Sequence, residues 1–471
     1  MAVFSVGGIA TGIDTQTLIA KLMDIERNPE VILQRKQSKI RSQVDIFKKL
    51  NDSLGQLQKL AQGIKTSSTF KGIKSSVVDS TVATATASST ASPGTHTVQV
   101  VALARSQRQV STGYASSTSL VFNTGSFSID DGAGTIKTVN VAEGQNSLDG
   151  ISAAINASGA NVTASVINDG SGSPYRLVLT GKDTKNYTVD FSNLTTLPSG
   201  GTGSLVPTLL GPADPSYQAG TPATAVIDGV TITKTSNTIT DVISGVTVNL
   251  LKEGATTDVK LENDTDAARK KIDDIVAQYN DVITIINLQS VYDPKTKKAG
   301  VLSGDSTLRT VQSRLQSLTT TVSGSSGNYK TLADLGITSN KKDGTLSVDS
   351  AKLTDALSNR FDDVVDFFTH NGDTYGLPDS QYGMSQQLNS MIENLVHAYE
   401  GPTSTSNGII SIRTKGLNDT IGDIDQQISS MEIRLAKKEE SLRSQFTAME
   451  QLVSNLQGQG NTLLSYLSKL S

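Results

Sequence analysis

A ladder of apolar residues at alternating +4 and +3 steps runs unbroken from Leu417 to Leu470, and it limits what this chain can fold into more than any other feature. Its rungs are Leu417, Ile421, Ile424, Ile428, Met431, Leu435, Lys438, Leu442, Gln445, Met449, Leu452, Leu456, Gln459, Leu463, Tyr466 and Leu470, of which only Lys438, Gln445 and Gln459 are strongly polar. A spacing that averages 3.5 keeps one narrow seam turned toward a partner helix, so the segment reads as a coiled-coil strand rather than the broader stripe of a globular helix. At ~1.5 Å per residue it would run roughly 80 Å, while a compact domain is about 40 Å across. Most of it must project, or be shared with other subunits.

The opposite terminus supplies a partner. After the glycines Gly7, Gly8 and Gly12, the residues Leu18, Leu22, Ile25 and Ile32 space out a short helix, with Asp14 or Thr15 as its N-cap and Pro29 as the point where it kinks or restarts. A second periodic stretch follows through Ile40, Val44, Phe47, Leu50, Leu54, Leu57 and Ile64. Paired within one subunit, the two terminal segments would run antiparallel. Leu18, Leu22 and Ile25, with Leu456, Leu463, Leu467 and Leu470, are the expected contacts to other subunits; simple intramolecular pairing of the terminal helices is the competing account.

Composition narrows the class. The 471 residues suffice for about three domains, and a net charge of −4 with 18% charged residues makes no general electrostatic demand for nucleic acid or an anionic membrane. Basic clusters such as Arg35, Lys36, Lys39 and Arg41 are interleaved with acids and amides and read as solvated helix faces. With 4% aromatics and no Trp, stacking platforms for bases or sugars are scarce. The absence of Cys excludes disulfides and thiolate metal sites and suits a chain that crosses compartments unfolded. The start, MAVFSVGGIATGID, lacks the basic and apolar regions of a cleavable signal peptide, and no apolar stretch is long enough for a bilayer.

Between the helical ends the texture changes. From about Ser75 to Glu262 short alternating runs appear: Thr81 to Thr86, His96 to Val101, Val162 to Val166, Arg176 to Thr180, Ala223 to Ile227 and Val246 to Leu250. Turn chemistry separates them, including Asp130-Asp131-Gly132, Asn168-Asp169-Gly170 and Asp228-Gly229. FSIDDGAGTIKTVNV and AVIDGVTITK echo one another, each placing Ile-Asp beside a glycine turn, so two related β modules are expected. SLDGISAAINA reads as a helix capped by Ser147, and the segment from Pro198 to Gly220 as a loop.

Helical periodicity resumes after Asp264, through Ile272, Ile275, Tyr279, Val282 and Ile286, and again through Leu308, Val311, Leu315, Leu318 and Val322. GITSNKKDGTLSV carries a hairpin signal at Asp343-Gly344, and a helix pair follows around Leu353 to Phe368 and Met384 to Tyr399. The chain is therefore predicted to be an α+β multidomain protein: terminal coiled-coil helices, an α-helical bundle domain with a β-hairpin, and two inserted mainly-β domains. The expected division is a leg (1–40 and 430–471), the bundle (41–74 and 264–429), an inner β domain (75–113 and 218–263) and an outer β domain (114–217).

Several of these segments resemble one family. GGIATGIDTQTLIAKLMDIERNP is similar to the start of flagellar filament cap proteins, the flagellar hook-associated protein 2 family. RLAKKEESLRSQFTAMEQLVSNLQGQGNTLLSYL resembles the C-terminal signature of that family, and VLSGDSTLR and DLGITSNKKDGTLSVD its central helical domain. The stretch from FSIDDGAG to TGKD resembles a flagellin-hook inserted motif. The resemblance covers both ends and most of the middle in matching order, and least of the β insert from about Tyr114 to Tyr217. It implies an extracellular homo-oligomeric ring with legs at the tip of a growing flagellum, exported unfolded through the flagellar type III channel. The implied partners are further copies of itself, flagellin, hook–filament junction proteins and an export chaperone at the C-terminal helix, with no nucleic acid and no membrane insertion.

Catalysis finds little footing. His96, His370 and His397 are dispersed, and no catalytic residue, cofactor site or metal site is expected. DPKTKKAG places lysines where a calcium loop needs oxygens and reads as a turn. The competing functions are another exported fibrous or axial protein, and a surface adhesin acting through the β domains.

Overall fold

A computed structural model describes residues 12, 14–196, 205–290, 292–293, 298–398, 400 and 407–468. The chain divides into two compact units, 1–70 with 265–471, and 71–264. The second is an excursion from the first, so the predicted nesting of β material inside helical material is present.

In the helical unit, α1 (Thr15–Glu26) is capped by Asp14, whose carboxylate accepts from the Thr17 N–H at 3.0 Å. It ends at Arg27, and α2 (Asn28–Gln62) begins at once with Pro29 in its first turn, where the missing N–H costs no helical bond. Pro29 thus restarts the helix. After the short α3 (Ser67–Phe70) the chain leaves for the inserted unit, which carries α4 (Leu148–Ala157), and it returns as α5 (Thr265–Ser290). There follow α6 (Ser306–Ser317), α7 (Ser350–Asn359), α8 (Phe361–Thr369), α9 (Met384–Val396) and the 59-residue α10 (Ile409–Leu467), roughly 90 Å long at ~1.5 Å per residue.

One core joins them. Phe47, Leu50, Leu54 and Leu57 of α2, Tyr279, Val282 and Ile286 of α5, and Phe367 of α8 are completely or almost completely buried, and Ile410, Leu417 and Ile424 bring the root of α10 into the same core. Val322 departs from expectation. It was placed on the seam of α6, but that helix ends at Ser317 and Val322 lies exposed beyond a short 3-10 turn. The Asp343-Gly344 signal gives the hairpin of β17 (Ile337–Ser339) and β18 (Leu346–Val348), with Gly344 at φ +77°.

The motif GDSTLR acquires a structural reason here. Asp305 caps α6 through one carboxylate oxygen, which accepts from Thr307 N–H at 2.8 Å and Leu308 N–H at 3.2 Å. Its other oxygen accepts from the guanidinium of Arg413, at 3.1 Å from Nε and 2.8 Å from Nη2. A single buried carboxylate therefore starts one helix and fixes the root of α10 to it.

The inserted unit holds two cores. The first lies between a five-stranded and a three-stranded antiparallel sheet. The larger sheet runs in the order β1 (Ile73–Val77), β14 (Ala255–Asn263), β3 (Gly94–Ala102), β10 (Ala223–Ile227), β11 (Val230–Lys234). The smaller runs β12 (Thr238–Ile239), β13 (Val246–Leu250), β2 (Ala83–Ala87). Asp228 at φ +50° and Gly229 at φ +81° make the tight two-residue turn between β10 and β11 that a right-twisted hairpin favours.

The second core is enclosed by β4 (Arg108–Val110), β8 (Tyr175–Gly181) and β7 (Val162–Asn168), by β6 (Ile136–Val141), β5 (Gly125–Asp130) and β9 (Thr188–Asp190), and by α4 (Leu148–Ala157). Ser147 caps α4 by accepting from Gly150 N–H at 3.0 Å, and Leu148, Ile151 and Ile155 are completely buried. Phe122 and Phe127 complete this core. A further pair of strands, β15 (Tyr292–Asp293) and β16 (Lys298–Ala299), belongs to the helical unit, at the turn expected in DPKTKKAG.

Candidate interaction surface on the terminal helices

The terminal helices α1 and α2 run in the opposite direction to α10. Thr15 Oγ1 donates to Glu450 Oε1 at 3.4 Å, and Gln37 bonds Asp425, so α1 and α2 lie along α10 with residue numbers rising on one side as they fall on the other. The contact of α1 is made by Ile19 and Met23, each 5% exposed, which pack with Leu435 and with the half-buried Met431, Leu442 and Phe446. Each buried apolar side chain contributes about 1.5–3 kcal/mol. A free helix of only three turns is marginal in water, so this inner seam is what holds α1.

The expected contact residues lie on another face. Leu18 is 38%, Leu22 37% and Ile25 65% exposed, turned about one residue step around the helix from Ile19 and Met23. On α10, Leu456, Leu463 and Leu467 are likewise exposed, together with Leu452, Leu464 and Tyr466. Leu470 lies outside the described residues. The structure does not pair the α1 set with the α10 set: the α1 residues stand at the level of Met431 to Phe446, below the distal stretch. Intramolecular pairing exists, but through Ile19 and Met23.

The long ladder is consequently two surfaces. Its early rungs Leu417, Ile424 and Leu435 are buried, while Lys438 and Gln445 face solvent and Phe446, which is not a rung, packs on α1. A strict heptad drifts ~20° per repeat around a straight helix of 3.6 residues per turn. Leu452, Leu456 and Leu463 lie past the level of Thr15, where among the described residues every position of α10 from Gln451 to Ser468 except Val453 is exposed, so their exposure follows from where α1 begins as well as from that drift. Sequence reasoning missed Ile19, Met23 and Phe446; their +4 spacings were visible, but the more regular neighbouring set masked them.

Electrostatics on the leg is light. Arg443 donates to Glu439 at 2.7 Å one turn away, a surface pair of small value. Glu30, 6% exposed, accepts from Gln34 Nε2 at 2.9 Å and lies 3.5 Å from Arg27 at the α1–α2 break. Among the described residues no group of three potential metal ligands is assembled, and no helix is long and apolar enough to cross a membrane.

Comparison with known proteins agrees with this architecture. Residues 220–458 match the family model of the flagellar hook-associated protein 2 C-terminus, residues 11–107 that of its N-terminus, and residues 126–183 the flagellin hook IN motif. The chain is 28% identical to the A-type flagellar hook-associated protein 2 of Pseudomonas aeruginosa, over 99% of this chain and 98% of the relative. It is 30% identical to the B-type protein of the same organism, over 84% and 83%, and 28% identical to flagellar hook-associated protein 2 of Escherichia coli K12, over 100% and 98%. Among solved structures it is similar to the D1-D2-D3 domains of the flagellar cap protein FliD from Escherichia coli, with a TM-score of 0.57, 27% identity, and coverage of 79% of this chain and 99% of that one. Terminal matches in the right order, near full-length coverage and a shared fold together establish that the chain belongs to the flagellar hook-associated protein 2 family.

Proposed function

We propose that this protein is a non-catalytic cap at the distal tip of a growing flagellar filament, where it oligomerises and promotes the folding and insertion of exported flagellin. The observation that carries the reading is the leg: two apolar faces, on α1 and on distal α10, remain exposed after the helices have paired. Exposed apolar surface of this extent on slender helices favours burial against another chain. The relatives named as cap and hook-associated proteins give the setting.

In this reading Leu18, Leu22 and Ile25, with Leu456, Leu463, Leu467 and Leu470, contact neighbouring subunits or the filament. The leg is 1–40 with 430–471, the bundle 41–74 with 264–429, and the inner and outer β domains are 75–113 with 218–263 and 114–217. Several modest helix contacts suit a cap that must hold its place yet shift as each subunit is added, because linked weak contacts exchange one at a time. Hook–filament junction proteins and an export chaperone at the C-terminal helix are the further partners, and the working location is extracellular.

Gene deletion tests the function. Cells should keep hooks, lack filaments and shed flagellin into the medium; filaments of normal length in the deletion strain would refute it. Removing 1–40 and 430–471 should leave a soluble core with weakened self-association in sedimentation.

A further inference from the structure

Each of the three histidines meets a carboxylate, but one of them differs in kind. His96 Nδ1 lies 2.7 Å from Asp228, and His370 Nδ1 2.7 Å from Asp366. A neutral imidazole with its proton on Nδ1 satisfies either contact. His397 has its Nδ1 2.7 Å from Glu393 Oε1 and its Nε2 3.1 Å from Glu400 Oε1. An ionised carboxylate only accepts, so both ring nitrogens must carry hydrogen, and the ring that fits this geometry is the imidazolium.

The position of the ring gives that charge a consequence. His397 follows α9 directly, and its carbonyl accepts from Gly408 N–H at 3.1 Å and from Ser411 Oγ at 2.7 Å at the start of α10. The approach is close: a Cβ on Gly408 would lie 2.5 Å from the His397 nitrogen. Glu393 also accepts from Gln58 Nε2 of α2 at 2.5 Å. The end of α9, the middle of α2 and the root of the leg helix meet at this residue.

We propose that His397 is a proton-operated clasp: protonated, its ring ties Glu400 to Glu393 at the end of α9 and steadies the backbone carbonyl to which the root of α10 is bonded, and it slackens when the proton is lost to solvent. Deprotonation leaves a lone pair facing a carboxylate oxygen, so one of the two contacts must break. The charged groups facing the ring are Glu393 near the end of α9 and Glu400 three residues on; from α2 the uncharged Gln58 bonds Glu393, and from α10 the Ser411 hydroxyl bonds the His397 carbonyl. The bond to Glu393, then that to Glu400, raises the His397 pKa above the ordinary histidine value against a smaller opposing effect of burial. A raised folded-state pKa means the clasp contributes fully below the unfolded value of about 6.5, and the contribution is lost as pH rises through the folded value. The inference goes beyond filament capping and its test is independent of it.

Imidazole NMR and hydrogen exchange on the full chain provide the test, over about pH 5.5 to 8.5, the range in which histidines change charge. The signal abolished by His397→Asn should titrate above the ordinary value, and the Gly408 amide, which donates to the His397 carbonyl, should exchange several-fold more slowly at the acidic end once intrinsic exchange is divided out. His397→Asn should flatten that pH dependence. Glu400→Gln, at an exposed position, should lower the His397 midpoint while leaving the chain folded. An imidazole that titrates at or below the ordinary value, or an identical exchange profile in His397→Asn, overturns the clasp.

Discussion

The division of α1 into an inner and an outer face can be tested by two substitutions six positions apart. Ile19 is 5% exposed against Leu435 and its neighbours, whereas Ile25 is 65% exposed. Replacing a buried Ile by Ala costs about 2–5 kcal/mol; for a three-turn helix that opens locally, the lower end, about 2–3 kcal/mol, applies. Because 1.4 kcal/mol is a factor of ten, Ile19→Ala should raise the open population of α1 by about 30- to 140-fold. Ile25→Ser removes a side chain with little intramolecular contact and should stay within about 0.5 kcal/mol, roughly twofold. Trypsin reads the difference at Lys21, which sits mid-helix and is cleavable only when α1 opens. The digest is run dilute to disfavour self-association, and sedimentation at high concentration follows in parallel. Ile19→Ala should be cut far faster, and Leu435→Ala should match it. Ile25→Ser should be cut at nearly the parental rate but self-associate less. Equal cleavage rates for Ile19→Ala and Ile25→Ser would refute the two-face assignment, and unchanged association of Ile25→Ser would remove the outer face from the interface.

The remaining expectations concern the helical unit. Asp305→Ala removes the α6 cap, worth about 1 kcal/mol, and the pair with Arg413, whose half-exposed guanidinium recovers water; the expected loss is about 2 kcal/mol in urea unfolding, with Arg413→Ala costing about half and the double mutant less than the sum. Ser385 is 2% exposed in α9 and its hydroxyl finds no partner among the described residues, so Ser385→Ala should be neutral or stabilising by up to about 1 kcal/mol, and a clear loss in thermal midpoint would show that the hydroxyl is in use. Burial pushes the Asp366 carboxyl up, but hydrogen bonds from His370 and from the Ser326 and Gly327 backbone outweigh it and hold it below the ordinary value. Its contribution is therefore present above about pH 4 and lost as pH falls through the lowered folded value; Asp366→Asn should flatten the acid dependence of amide protection at 326 and 327, and an unaltered acid profile would contradict this.

Much of the architecture could be read from residue order because the signals are local. The Ser147 cap, the Asp343-Gly344 and Asp228-Gly229 turns, and the seams Ile272 to Ile286 and Phe47 to Leu57 need only neighbouring residues to take effect. Pairings across long stretches left no such mark. Nothing near β3 indicates that it sits between β14 and β10, since alternation fixes which side chains face inward but not which strand lies alongside. The Asp305–Arg413 pair and the two-carboxylate setting of His397 likewise depend on elements brought together by packing.

By itself, then, the sequence determined that both ends of this protein are long amphipathic helices enclosing β modules, because hydrophobic period and turn chemistry are written residue by residue. Only the tertiary structure decided which face of each terminal helix is used. Ile19 and Met23 meet Leu435 and Phe446 while Leu18, Leu22, Ile25 and the distal rungs of α10 stay exposed. Helical spacing marks a face as apolar, but which apolar face is covered depends on where the opposing helix lies and where along the axis it begins, and packing in three dimensions sets both.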